Sequence, residues 1–562
     1  MIHNFGPVIE GGNVRFSLWA PDIQNVDLQL RDGTICPMTD VGDGWKEVVV
    51  PGVPGLPYQF RTGNISFPDP GSRLQQGGVH GWSIVTTARR IESWAGRPWR
   101  ESVIYECHAG LLGGFRGVTA QLPELSALGI TVLELMPIAA FPGTRNWGYD
   151  GVLPFAPAES YGTPDDLCEL IIRAHELGIS VILDVVYNHF GPDGNYLSLY
   201  AKEFFREDSI TPWGPAFDFR KAEVRQFFSD NARYWLFEFG FDGLRFDAVH
   251  AIRDEGWLAE LAGELRSEAA GRQIHLVLEN EDNTARHLRS GFDAQWNDDM
   301  HHVLHVLLTG ETQGYYRDFG EKPIALLARA LGEGFIYQGQ PSKNREGAPR
   351  GEPSADLPPT AFVSFLQNHD QTGNRALGER LTVLTDPRAL KAAIALQLLA
   401  PQIPLIFMGE EIGSRTPFLY FTDHNQDLAQ AVREGRAREF AAFAQASQSH
   451  PLPDPNVLET FAASVPQTNA SDALAWRLFY RDLLALRQTQ IATRLDGAQA
   501  LSGEPIGEKA VLARWRMGDG KVLTLASNLG PEPVSLNLPA AQPFYGRSGT
   551  SLMGFSTLAW LE

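Results

Sequence analysis

From residue 93 to about residue 408, short β-rich runs alternate with amphipathic helical stretches, and this alternation restricts the chain more than any single motif. The runs fall at 103–106, 131–136, 181–187, 244–249, 275–279, 292–296, 362–366 and 405–408. Helical patterning lies at 119–128, 164–177 and 223–238 and between most of the later runs. Parallel strands need long crossovers, usually helical, and eight of them fit a closed (β/α)8 TIM barrel, an α/β fold, better than an open sheet. In such a barrel the reactive side chains stand where strands end, at the C-terminal face. Asp184, Asp247, Glu279 and Asp370 all lie at or just past the ends of these runs.

The flanks read differently. Residues 1–92 alternate apolar and polar positions, as in Val14-Arg15-Phe16-Ser17-Leu18-Trp19 and Trp45-Lys46-Glu47-Val48-Val49-Val50. Gly- and Pro-containing turns part these pieces roughly every 10 residues, the pattern of a small N-terminal β-sandwich. Trp19 and Trp45 either stack on sugars, making the module carbohydrate-binding-like, or fill its core or its seam with the next domain. Residues 93–490 form the barrel, with long insertions at 188–220 and 325–360. The second is rich in Gly, Pro and charge and reads as a functional or mobile loop. Residues 491–562 return to β alternation, as in Val511-Leu512-Ala513-Arg514-Trp515, and predict a small C-terminal β-domain.

Composition narrows the partners. A formal net charge of −20 argues against nucleic acid, which needs clustered Lys and Arg. No run approaches the ~20 apolar residues that span a bilayer, so no membrane is expected. The first residues lack the basic patch and apolar core of a signal peptide. Three cysteines (Cys36, Cys107, Cys168) without framework spacing point to a reducing compartment, so the expected location is cytoplasmic.

The stretch Gly243-Leu244-Arg245-Phe246-Asp247-Ala248-Val249-His250 carries a cation and a carboxylate two residues apart. Alternate strand residues share a face, so Arg245 and Asp247 stand side by side, and burial of either charge requires further partners. The pair is either a structural salt bridge or part of an active site. Asp247, Glu279 and Asp370 follow predicted strands four, five and seven, an arrangement suited to glycoside cleavage. Retention needs a carboxylate nucleophile and a second, protonated carboxyl that serves the leaving oxygen. Arg245 would keep Asp247 ionised and aimed. Glu279 closes the apolar run Leu276-Val277-Leu278 near other carboxylates, surroundings that favour a protonated acid.

Asp184-Val185-Val186-Tyr187-Asn188-His189, Gly243 to Asp247, Glu279, and Phe365-Leu366-Gln367-Asn368-His369-Asp370 resemble the four sequence regions of the α-amylase superfamily, in order and at suitable spacing. Within it, residues 134–143, 147–151, 293–302 and 417–424 resemble the maltooligosyltrehalose trehalohydrolases, and the likeness runs over nearly the whole chain. The resemblance implies a retaining hydrolase that cuts the α-1,4 bond next to a terminal trehalose, with no cofactor and no metal. It implies Asp247 as nucleophile, Glu279 as proton donor and Asp370 as stabiliser of the oxocarbenium-like transition state. His189 and His369 would hydrogen-bond the sugar before the scissile bond, Tyr149 would stack beneath it, and Arg245 would orient the nucleophile. Asp184 would brace Arg245. Asp298 and His302 would touch the trehalose end, and His250 would lie beyond the cleaved bond.

Other readings stand beside these. Cys107, Ala109 and Leu278 depart from the family pattern, and Glu281 supplies a second carboxylate that is the alternative donor. His301 and His305 share a helix face at i, i+4, which allows a metal, but no third ligand stands at a known spacing. His302 could belong to a helix-capping cluster, His250 could be a satisfied barrel histidine, and Trp147 could anchor a loop or carry a sugar. At the level of function the alternatives are a glucan branching transferase and a non-catalytic glucan-binding protein of the same fold. No protein partner is indicated; the expected partner is maltooligosyltrehalose or another α-glucan oligosaccharide.

Overall fold

The computed structural model describes residues 5–562 except 88–93, 253–254, 442–450, 468–470, 536–538, 540 and 548. Eight parallel strands close into a barrel. They are β1 (Ile104–Cys107), β2 (Val132–Leu135), β3 (Ser180–Val185), β4 (Gly243–Phe246), β5 (His275–Leu278), β6 (Ala294–Trp296), β7 (Phe362–Ser364) and β8 (Ile403–Phe407). β8 pairs back onto β1 through Ile104↔Leu405, Tyr105↔Ile406 and Glu106↔Phe407, which closes the cylinder. All eight fall on runs expected to be strands, with ends displaced by up to three residues. β4 stops at Phe246 because Ala248 takes a left-handed φ of 41°, which no extended strand accommodates.

Every barrel strand turns alternate residues inward. One inward layer is apolar and fills the cylinder: Ile104, Val132, Ile182, Val277, Ala294, Trp296, Val363, Phe365, Ile403 and Leu405 form a buried cluster of their own. Two residues further along four of the strands stand Glu106, Glu134, Asp184 and Glu279. The packed apolar layer thus serves as the floor of a charged one.

Outer helices form where sequence caps and stripes agree. The helix α1 (Pro164–Glu176) starts at a capping box in which Thr163 and Asp166 satisfy each other's backbone N–H, with Pro164 in the first turn. Its Leu167, Leu170, Ile171 and Ala174 recur at helical spacing and are buried. Each of the larger three contributes about 1.5–3 kcal/mol. The predicted helix at 223–238 is regular over Ala222–Arg233 and widens into an i→i+5 turn at Tyr234–Glu238.

The insertions are more structured than expected. Residues 188–220 contain a hairpin, Phe205–Thr211 against Gly214–Phe217. The segment 325–360 is not a loop throughout: its first quarter belongs to the helix α2 (Pro323–Glu333), whose Ile324, Leu327, Ala328 and Leu331 are buried. Only then comes a short hairpin, Gln340–Pro341 against Pro349–Arg350. A further antiparallel pair after β2, Ala139–Ala140 with Leu153–Pro157, was not foreseen.

At the N-terminal end, a four-stranded antiparallel sheet, in order Val8–Glu10, Asn13–Trp19, Trp45–Pro51 and Thr39–Gly42, accompanies a second, six-stranded sheet. Trp19 and Trp45 are buried. Trp19 faces Phe204 of the barrel insertion, and Phe5 bridges Trp45 and Phe227 with ring centroids 4.9 Å from each. The core-and-seam reading of these tryptophans therefore holds. A four-stranded antiparallel sheet, Gln499–Pro505 through Ser556–Leu561, ends the chain and packs on α2, where Trp515 Nε1 donates to Leu331 O at 3.2 Å.

Candidate active site

Arg245 organises the charged layer. The register sets Asp184 opposite Arg245 across β3 and β4, so both side chains enter the barrel. Nη1 donates to Asp184 Oδ1 and Oδ2 at 2.9 and 2.8 Å and to Asp247 Oδ1 at 2.8 Å. Nη2 forms an ion pair with Glu279 Oε2 at 2.9 Å, and the guanidinium carbon lies 4.1 Å from the centre of the Trp296 ring. Burial opposes the charge on Arg245, and the surrounding carboxylates outweigh it and hold the group well above its ordinary range. Burial pushes Asp184 up to about 7 against the pull of Arg245. Tyr149 Oη donates to Asp184 Oδ2 at 2.6 Å, so Asp184 does brace the arginine from behind.

Asp247 and Glu279 are thus held by opposite arms of one guanidinium. Asn188 Nδ2 donates to Asp247 Oδ2 at 2.8 Å and to its carbonyl at 2.9 Å, fixing the carboxylate from a second side. The left-handed turn at Ala248 aims its N–H at Glu279 Oε2, at 2.9 Å. Such conformations cost of order 1–3 kcal/mol and persist where surrounding contacts impose them. The apolar run before Glu279 announced neither of these contacts: its Oε2 meets two donors, Arg245 Nη2 and the Ala248 amide. Glu281 is elsewhere. Its side chain is 62% exposed and pairs with Arg345 at 3.2 Å.

Asp370 lies in the first turn of a short helix, His369–Gly373, whose cap Asn368 accepts from Gln371 N. Burial raises its carboxyl, and Asn374 Nδ2 donates to its Oδ1 at 2.6 Å. His369 stacks on Tyr149 with centroids 5.0 Å apart and presents an edge to Trp147. Trp147 is buried and donates to Leu419 O at 3.0 Å, which makes it a loop anchor. His189 is held by Asn188 Oδ1, burial depresses its imidazole to about 4, and the half-exposed Trp213 stacks on it at 5.4 Å.

On the helix α3 (Asp298–Thr309), Asp298 Oδ1 accepts from Gln371 Nε2 at 3.0 Å. Burial, then Glu279 and Asp370, push its carboxyl up to about 8. His302 packs against Phe319 and Tyr316, and burial pushes it down to about 3. His250 accepts from Glu281 N at 3.3 Å, and its Nε2 lies 3.9 Å from the Glu281 carboxylate. His301 Nδ1 is engaged by Leu366 O and His305 Nε2 by Glu311, so their shared face holds no ligand set. Among the described residues, no group of three or more His, Cys, Asp or Glu side chains is placed to hold a metal ion. No described helix is long and apolar enough to cross a membrane.

The "Alpha amylase, catalytic domain" family model matches residues 86–209, and a "Domain of unknown function (DUF3459)" matches residues 498–557. The malto-oligosyltrehalose trehalohydrolase of Deinococcus radiodurans is 40% identical over 502 residues, covering 86% of this chain and 82% of its own. That of Saccharolobus solfataricus is 42% identical over 454 residues, covering 77% of this chain and 80% of its own. The chain belongs to the malto-oligosyltrehalose trehalohydrolase family. A Salmonella typhimurium crystal structure that carries the provisional name alpha amylase superposes on this trehalohydrolase-family chain with a TM-score of 0.94 at 43% identity, covering 100% of both chains. A Streptomyces coelicolor 1,4-alpha-glucan branching enzyme is 36% identical over 273 residues, covering 42% of this family member and 36% of its own length.

Several members of this trehalohydrolase-family site escaped the sequence reading. Asn188 had no role beyond its motif, although its place next to a barrel strand end was a usable signal. Glu106 and Glu134 sit inside short strands buried at every position, where the run itself does not tell the inward face from the outward one. Trp213 comes from an insertion, where no periodicity announces it.

Proposed function

We propose that this chain hydrolyses the α-1,4-glucosidic bond next to the terminal trehalose of maltooligosyltrehalose, releasing trehalose and a shortened maltooligosaccharide with retention. Asp247 is the nucleophile. It attacks the anomeric carbon while Glu279 delivers a proton to the leaving oxygen, and Glu279 then takes a proton from the water that frees the sugar. Asp370 stabilises the oxocarbenium-like charge that develops in the transition state of each step, and Arg245 aims Asp247 through a charge-assisted hydrogen bond. His189 and His369 bind the glucosyl unit before the scissile bond and Tyr149 lies beneath it. Asp298, His302 and His250 serve the trehalose side.

The observation that carries this reading is the single Arg245 guanidinium engaging both Asp247 and Glu279. A group that small keeps both carboxylates within reach of one sugar ring. Glu281 is too exposed, and too occupied with Arg345, to replace Glu279. The substrate class is further supported by the names of the relatives that match over most of the chain. Three free thiols suit a reducing cytoplasm. The residues 1–92, 93–490 and 491–562 are taken as sandwich, catalytic barrel and C-terminal domain.

Incubation with maltooligosyltrehalose, maltohexaose and amylose, followed by product chromatography, tests the proposal. Free trehalose is expected. New α-1,6 branches would instead make the chain a branching transferase, and no turnover would make it a glucan-binding protein.

A further inference from the structure

Beneath the sugar-facing rim, inside the barrel, two glutamates stand side by side. Glu106 on β1 and Glu134 on β2 are register partners, 1% and 0% exposed. Both oxygens of Glu134 lack a hydrogen-bond partner among the described residues, and burial, reinforced by Glu106 and Asp184, pushes its carboxyl well above the ordinary range. Glu106 is different. Its Oε2 accepts the backbone N–H of His369 at 3.1 Å, and its Oε1 bonds His369 Nδ1. Both oxygens of one buried carboxylate are thus spent on one residue of the rim.

Resting on the function proposed above, we propose that Glu106 is a positioning residue: it fixes a proton on His369 Nδ1 and so presents Nε2–H as a cationic donor to a hydroxyl of the bound sugar. The ring cannot turn away from this task. Tyr149 stacks on one face, Trp147 closes an edge, and the main-chain bond to Glu106 holds the backbone. With Nδ1 tied down, Nε2 is the nitrogen on the opposite side of the ring. A neutral imidazole protonated at Nδ1 could only accept there; the imidazolium donates.

The groups around the ring decide which form is present. Glu106 faces it from β1, Asp184 from β3, Arg245 from β4, His108 from the loop after β1, and Asp370 from its own helix. Burial and Arg245 oppose a charge on His369. Glu106, by proximity and hydrogen bond, and Asp370 outweigh them, so His369 holds its proton above the ordinary value of 6.5.

The test measures kcat/KM for maltooligosyltrehalose against pH in wild type, Glu106→Gln, His369→Asn and the double variant. Glu106→Gln should move the basic limb to lower pH by about one pH unit or more, and the same change in the His369→Asn background should move nothing. A fall of equal size at every pH, or a shift that persists without His369, overturns the inference. Absence of trehalose release by the wild type overturns the proposed function instead. Should Glu106→Gln not fold, wild-type protein carrying 15N-histidine gives the answer, with the His369 signal assigned by its loss in His369→Asn. An imidazolium persisting above 6.5 supports the inference, and a ring already neutral below that value overturns it.

Discussion

Arg350 Nη1 lies 2.8 Å from Asp299 Oδ1, joining the hairpin of the second insertion to the first turn of α3. Asp299 is fully buried, and its other oxygen accepts from Asn283 Nδ2 and from the backbone N–H groups of Ile336 and Tyr337. One carboxylate thus fixes the root of the insertion and the helix carrying Asp298. Removing one partner of a buried ion pair strands the other, at about 3–5 kcal/mol. Asp299→Ala should lose stability of that order in chemical denaturation and raise KM for maltooligosyltrehalose. A loss below about 1 kcal/mol would mean that water reaches Arg350 and the tie is weak.

Asp247 is gripped by Arg245 and Asn188, contacts that an asparagine largely preserves. Asp247→Asn should therefore bind oligosaccharide nearly as wild type, while kcat falls by several orders of magnitude because a nucleophile acts in the transition state. Titration calorimetry and steady-state kinetics separate the two quantities. Near-normal turnover would remove Asp247 from the mechanism.

Double displacement also fixes the stereochemistry of the product. The newly formed reducing end should appear first as the α-anomer and mutarotate afterwards. Proton NMR in the first minutes of reaction reads this directly, and an initial β-anomer would exclude a covalent intermediate on Asp247.

The barrel was legible because strands of a parallel sheet are buried on both faces and read as apolar runs, as Val181-Ile182-Leu183 and Leu276-Val277-Leu278 do. The helix Pro323–Glu333 was equally periodic, yet the Gly- and Pro-rich stretch after it drew the whole segment into one loop. The rim acids Asp247, Glu279 and Asp370 stood out by following strands. The inward acids Glu106 and Glu134 did not, since only closure of the barrel decides which face of a short strand is inside. Glu279 shows a different limit. Its apolar run and the neighbouring carboxylates were legible, whereas its donors, Arg245 and the amide of Ala248, come from the neighbouring strand and the strained turn after it.

Glu134 gives a pH prediction for the fold. Its folded-state carboxyl lies well above the ordinary 4.5, with burial the main cause. The stabilising contribution of its protonated form is complete below 4.5 and is lost as pH rises toward the folded value. Glu134→Gln removes the titration while keeping the shape. The variant should match or exceed wild-type Tm at neutral pH, with the difference widening toward alkaline pH. A variant less stable by a constant amount at every pH would show that the protonated acid makes a bond the amide cannot.

Asp298 should add to the alkaline loss of substrate binding that His369 begins. Burial and the nearby Glu279 and Asp370 push it up to about 8, so at neutral pH it carries a proton. One oxygen accepts from Gln371 Nε2 at 3.0 Å, and the protonated carboxyl has an O–H to offer a sugar hydroxyl. As pH rises through about 8 that donor becomes an anion close to two other carboxylates, and KM for maltooligosyltrehalose should rise. The same sign holds for stability: the contribution of the protonated group is complete below 3.8 and is lost as pH passes about 8. Asp298→Asn keeps a donor that cannot ionise, so its KM should stay near the neutral wild-type value and show a smaller alkaline rise around pH 8. Asp298→Ala should raise KM at every pH. If Asp298→Asn retains the wild-type alkaline rise, the titrating group is another residue, and the role of Asp298 on the trehalose side rests on shape instead of on its proton.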